Sequence, residues 1–113
     1  MRYAYFLAVV LVAAFPASVA SGDPNCGAPC ITILPKDGAH DCSSFVHMEL
    51  LNHAAQAATV KVLVAVDDNG KTWSRTDTYT MQPKSSQFLG CTGSVGPTHT
   101  THSTYSIQSV AWH

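Results

Sequence analysis

Residues 60–81 read VKVLVAVDDNGKTWSRTDTYTM, and this stretch decides the fold. Valine occupies every second position from Val60 to Val66, so an extended chain places these β-branched side chains on one face. The apolar residues recur at every second position, whereas an amphipathic helix requires a repeat of about 3.6 residues. The stretch therefore predicts a strand with one buried face.

The alternation ends at a turn signal, Asp67-Asp68-Asn69-Gly70. Asn69 and Gly70 both tolerate the positive φ angles of a type I′ turn, which predicts a tight hairpin. Lys71–Met81 then forms the returning strand. Alternate side chains of this strand share a side, which groups Trp73, Arg75, Asp77, Tyr79 and Met81 against Thr72, Ser74, Thr76, Thr78 and Thr80.

The other segments complete an all-β chain. Ile31–Pro35 is a short strand bounded by proline, which suits a sheet edge. A strand from Ser44 to Leu51, with Val46 on its apolar face, is followed by a loop over 52–58. A strand over Ser86–Cys91, with Phe88 pointing inward, is followed by a flexible connection over Thr92–Thr101. The last strand runs from Ser103 to Trp112 and has a β-bulge near Gln108-Ser109. About six or seven strands indicate a small immunoglobulin-like antiparallel β-sandwich, with a partly open β-barrel as the alternative.

Residues 1–20 have the features of a secretory signal peptide. A charged start precedes an apolar run that ends at a small-residue cleavage site, Ser18-Val19-Ala20. Pro16 interrupts the run, which is shorter than the ~20 residues of a membrane span, so we expect no span after cleavage. Residues 21–30 then form an N-terminal arm, and residues 31–113 form a single β-sandwich domain.

The charge of the chain excludes one class of partner. Six Lys and Arg residues face seven Asp and Glu residues, for a formal net charge of −1. A protein that attracts nucleic acid or an anionic membrane needs a basic surface, which this composition does not supply. We therefore expect no nucleic-acid partner.

The four cysteines, Cys26, Cys30, Cys42 and Cys91, all follow the predicted cleavage site. An even number in a small exported chain indicates two disulfides, for which three connectivities are possible. We favour Cys42 with Cys91, because each flanks a predicted strand and the bond closes a long loop. Cys26 then pairs with Cys30. A thiol-bound metal is disfavoured, because export favours oxidation of the cysteines.

The six histidines suggest a metal-binding alternative. His99 and His102 are three positions apart beside Gly96-Pro97, where a loop can bring both rings together. The C-terminal His113 adds an imidazole and a carboxylate, and such donors suit Cu²⁺ or Zn²⁺. The simpler interpretation is a set of solvated surface histidines without a cofactor.

The sequence carries no sign of a catalytic site. It contains neither G-x-S-x-G nor H-E-x-x-H, and its hydroxyl residues have no recognisable base beside them. A binding surface is better supported, because Trp73, Arg75 and Tyr79 share one side of a strand. Tryptophan, tyrosine and arginine dominate the hot spots of protein interfaces.

We expect a secreted or periplasmic module with a non-catalytic binding or structural role. Its partner is then an extracytoplasmic protein. The first alternative is an exported Cu²⁺- or Zn²⁺-binding protein with a site centred on His99 and His102. The second is a small secreted enzyme inhibitor that presents Thr92–Thr101 as its inhibitory loop.

Overall fold

The computed structural model describes residues 23–36 and 42–113. The predicted signal peptide, residues 1–20, lies outside the described residues. The regular structure of the described chain consists of seven strands: β1 (Ile31–Pro35), β2 (His47–Asn52), β3 (Ala58–Asp68), β4 (Lys71–Met81), β5 (Ser86–Cys91), β6 (Gly93–Val95) and β7 (Thr100–Trp112).

The strands form two packed antiparallel sheets. The first sheet has the order β1-β2-β5, and the second has the order β4-β3-β7-β6. Because the hydrogen-bonded ladders divide into two separate sheets, the sandwich is confirmed in preference to the open barrel. Its immunoglobulin-like relationship stays a prediction.

The β3–β4 hairpin is built as its turn residues require. Asn69 and Gly70 have φ angles of 55° and 89°, and the register pairs Asp68 with Lys71 across them. The Gly70 amide donates a 2.9 Å hydrogen bond to the Asp67 carboxylate. The predicted type I′ turn is thereby confirmed, since both central residues have positive φ.

The core forms around the valine face of β3. Val60 and Val62 are fully buried, and Val64 and Val66 retain only 2% and 8% of their exposure. The core is completed by Ile31, Leu50 and Leu89 from the first sheet and by Ala58 and Met81 at the adjoining ends of β3 and β4. The valine alternation therefore marks the inner face of the second sheet.

A buried amide organises one end of the sandwich. Asn52 is 2% exposed, and its Nδ2 donates to the carbonyls of Gln56 and Gln82 at 2.9 and 3.0 Å. Its Oδ1 accepts the Ala54 amide at 2.9 Å. The segment between β2 and β3 is a loop, as predicted. The Asn52 side chain holds it together with the β4–β5 loop by satisfying backbone groups of both.

The register of β7 confirms the predicted bulge. Lys61 pairs with Ser109 while the next residue, Val62, pairs with Ile107, so Gln108 is the extra residue. The bulge accounts for the change of apolar phase along this strand, since it moves the following side chains by one position.

Three local predictions are wrong. Strand β2 begins at His47, so Val46 lies before it and is 42% exposed. Leu89, not Phe88, enters the core, because a register shift between β2 and β5 reverses the faces of β5 there. The stretch predicted as a flexible connection contains strand β6, which pairs with the start of β7.

Two disulfides join the cysteines as favoured from the sequence, Cys42 with Cys91 and Cys26 with Cys30. The hydroxyl of Tyr105 on β7 also donates a 2.8 Å hydrogen bond to the Cys91 carbonyl. Cys91 ends a strand of the first sheet and Tyr105 belongs to the second. The Tyr105 hydrogen bond therefore ties the two sheets at this end, where the Cys42–Cys91 disulfide joins the segment before β2 to the end of β5.

The two disulfides should contribute unequally to stability. They close loops with sequence separations of 49 and 4 residues. Loop-closure entropy then predicts a loss of about 4 kcal/mol for Cys42→Ser/Cys91→Ser and about 2 kcal/mol for Cys26→Ser/Cys30→Ser. Denaturant unfolding of both variants measures this order, and equal losses would contradict it.

Removing a core side chain should cost more than removing an exposed one of the same type. Leu50 is 0% exposed and Leu34, on β1, is 47% exposed. We expect Leu50→Ala to lower the free energy of unfolding by about 3 kcal/mol, because it leaves a cavity. Leu34→Ala is the matched control and should cost less than about 1 kcal/mol. Chemical denaturation gives both values, and similar costs would place the core elsewhere.

Candidate binding surface

The predicted binding residues lie together on the inner side of edge strand β4. Trp73 pairs with Val66, Arg75 with Val64, and Tyr79 with Val60. Since paired residues in a sheet point to the same face, the three side chains continue the row of core valines sideways. We call Trp73, Arg75 and Tyr79 the β4 strip.

The β4 strip leaves the core gradually. Met81 at the end of β4 is 2% exposed, Tyr79 is half-buried, Arg75 is exposed, and Trp73 is 50% exposed. The side of β4 that is buried at one end is therefore open to solvent at the other. A tryptophan with half of its surface exposed offers a large apolar area to a partner.

Arg75 is held in place by Asp77. Its Nε lies 3.2 Å from both carboxylate oxygens of Asp77, which is two residues further along the same side. The Arg75 side chain is 48% exposed, so solvent screens this pair and it adds little to stability. Its effect is to orient the guanidinium and to balance the local charge.

The two tyrosines near this pair are harder to ionise than free tyrosine. Burial is the main cause that raises the pKa of Tyr79, the Asp77 carboxylate raises it further, and Arg75 opposes the shift. Burial likewise raises the pKa of Tyr105, and Arg75 again opposes. The Arg75 charge therefore acts on tyrosines of both β4 and β7.

A shallow depression of about 630 Å³ borders Trp73. Most of its lining comes from the outer face of the second sheet, where β3, β4 and β7 lie side by side. The lining residues are Ala65, Val66, Asp67, Thr72, Trp73, Ser74, His102 and Thr104. No local sequence pattern indicates that Asp67 and Thr104 line one depression, because the pairing of β3 with β7 brings together residues that are distant in the chain.

The three predicted metal-site histidines do not meet. The Nε2 of His99 lies 2.7 Å from the Asp68 carboxylate, and the His102 ring packs edge-on against Phe45. His113 lies at the other end of β7, where its Nε2 is 2.6 Å from the Thr59 hydroxyl. Strand β3 separates these two ends by about 30 Å, given its rise of ~3.3 Å per residue.

The described residues, 23–36 and 42–113, contain no group of three or more His, Cys, Asp or Glu side chains arranged for a metal ion. Copper or zinc binding through His99 and His102 stays a prediction. The contact between His99 and Asp68 joins the β6–β7 hairpin to the β3–β4 hairpin. The inhibitory role of Thr92–Thr101 also stays a prediction. In the structure this segment contains β6 and the start of β7, which pair as a hairpin.

A second polar group lies within the first sheet. His47 and Glu49 share a face of β2, and their exposures are only 3% and 8%. The His47 Nε2 is 3.6 Å from the Glu49 carboxylate, which also lies 3.9 Å from the Lys36 ammonium. The Phe88 ring packs on His47 at 4.3 Å. This group is covered by side chains, so it is less accessible to a partner than the β4 strip.

No protein-family model, curated protein or solved structure matches this chain. Within the described residues, no helix is long and apolar enough to cross a membrane.

The ionisation of the two tyrosines tests the geometry of this surface. Both pKa values should lie above the ordinary 10.0, so the stability they add is complete below pH 10.0 and is lost as the pH rises through the folded-state values. Asp77→Asn should lower the pKa of Tyr79, and Arg75→Gln should raise the pKa of both. NMR titration of the tyrosine ring carbons measures each value. If neither substitution changed these pKa values, the Arg75–Asp77 pair would lie away from the tyrosine rings.

Proposed function

We propose that this protein is a secreted or periplasmic, disulfide-stabilised binding module without catalytic activity, and that it engages an extracytoplasmic protein through the β4 strip. The observation that carries the proposal is the half-exposed Trp73 beside an arginine that is already oriented by a carboxylate.

The chemistry of the β4 strip suits a protein interface. Trp73 supplies apolar area that gains free energy when a partner removes it from water. Arg75 loses little conformational entropy on binding, because Asp77 already restricts it. The Arg75–Asp77 pair has no net charge, so this surface favours a partner with apolar and hydrogen-bonding groups over a highly charged one.

Two features support export. All cysteines of the chain form disulfides, and such bonds persist in oxidising compartments but are rare in the cytosol. The N-terminal sequence also has the features of a signal peptide. Together they favour a role outside the cytoplasm.

The test compares two faces of one strand. The oxidised protein, immobilised, is exposed to the extracytoplasmic proteins of its own source, and the retained protein is identified and titrated by calorimetry. Trp73→Ala should weaken binding by about thirtyfold, as expected for a hot-spot residue worth about 2 kcal/mol. Arg75→Ala should weaken it in the same direction.

The matched control is Thr76→Ala/Thr78→Ala, which changes exposed residues on the other side of β4. This variant should bind like the wild type, and all variants should show unchanged thermal unfolding. Equal binding by the Trp73 variant and the control would refute the role of the β4 strip.

A further inference from the structure

Strand β7 has one edge that is only partly paired. Its inner edge pairs with β3 from Thr101 to Trp112. Its outer edge pairs with β6 over Thr100–His102 alone. Across residues 23–36 and 42–113, no strand pairs with the outer edge between Thr104 and Trp112. The backbone groups on this side are therefore available to another strand.

Two hydrogen bonds show which residues face the open edge. The Ser103 amide donates to the Thr92 carbonyl, on the side of β7 away from β3. Because backbone groups alternate along a strand, the N–H and C=O groups of Tyr105 and Ile107 also point towards this open edge. The His113 amide donates to the Ala57 carbonyl on the β3 side, so the N–H and C=O groups of Trp112 and Val110 point towards the open edge as well. Odd-numbered residues point to the open edge before the bulge and even-numbered residues after it, because Gln108 is an extra residue in the strand.

The open edge lacks the usual protection against pairing. Edge strands in monomeric proteins are commonly blunted by charged residues or proline. The second edge of the same sheet, β4, follows this rule with Lys71, Arg75 and Asp77. In contrast, Thr100–Trp112 contains no lysine, arginine, aspartate, glutamate or proline. The two edges of this sheet are therefore chemically different.

An apolar groove lies beside the open edge. Ile107 is 37% exposed, and it borders a depression of about 360 Å³ with Ile31, Val110 and Trp112. Pro24 and Pro29 of the N-terminal arm form another wall. None of the loop and turn hydrogen bonds joins the backbone of this described part of the arm to β7.

We infer that the open edge of β7 pairs antiparallel with β7 of a second copy of this chain. A second copy fits this edge, because β7 carries no lysine, arginine, aspartate or glutamate and two such strands meet without like-charge repulsion in any register. A two-fold axis perpendicular to the sheet also keeps the apolar faces of both strands on one side. The two four-stranded sheets then become one continuous sheet, and the β4 strip stays free at its far edge.

The proposal is tested on the oxidised protein by sedimentation equilibrium over a range of concentrations. The wild type should form a dimer, and Ile107→Lys should raise its dissociation constant by about tenfold or more, because an inward-pointing charge blocks edge pairing. Leu34→Lys is the matched control on an edge strand of the other sheet, where the leucine is 47% exposed, and it should leave the dimer unchanged.

Hydrogen exchange locates the interface independently. With rising protein concentration, the amides of Tyr105, Ile107, Val110 and Trp112 should exchange more slowly, whereas the edge amides of β4 should not. A protein that stays monomeric, or a dimer that persists in Ile107→Lys without this protection, would overturn the proposal. Protection of these amides only after a different protein is added would overturn it too, since the occupant would then not be a second copy.

Discussion

The structure depends on the burial of one face of β3. This strand is paired on both sides, with β4 along one edge and β7 along the other. Its valines from Val60 to Val66 lie beneath the first sheet, and a shift of one residue would turn that face to solvent. Burial of these valines thereby sets the register of the second sheet. The side chains of β4 and β7 take their orientation from their pairing with β3.

Covalent and polar contacts then hold the two ends of the sandwich. At one end, the Cys42–Cys91 disulfide joins the segment before β2 to the end of β5, and the hydrogen bond from Tyr105 to Cys91 joins the two sheets. At the other end, the Asn52 side chain satisfies the backbone of two loops. A domain of this size buries a limited apolar area, so such ties at both ends matter more than they would in a larger protein.

The two edges of the second sheet differ because their sequences differ. On β4, charged and aromatic residues share one side, so its edge is protected while its exposed side chains can contact a partner. On β7, hydroxyl and apolar residues predominate and lysine, arginine, aspartate and glutamate are absent, so its backbone is the accessible feature. The proposed function and the proposed dimer consequently use opposite edges of one sheet and do not compete for the same surface.

The sequence by itself determined the features that arise from neighbouring residues. These include the valine strand, the Asn69-Gly70 turn and the common side of Trp73, Arg75 and Tyr79, because side-chain alternation and φ preferences act within a few residues. The bulge at Gln108 belongs with them, since it appears as a change of apolar phase within one strand.

Only the tertiary structure decided the features that depend on pairing between distant strands. The register shift between β2 and β5 chose Leu89 over Phe88 for the core, and no local pattern shows such a shift. The distance of His113 from His99 and the proximity of His102 to Trp73 follow from where β7 lies beside β3. Local sequence patterns specify which face of a strand is buried, whereas the positions of side chains relative to other strands follow from packing across the sheets.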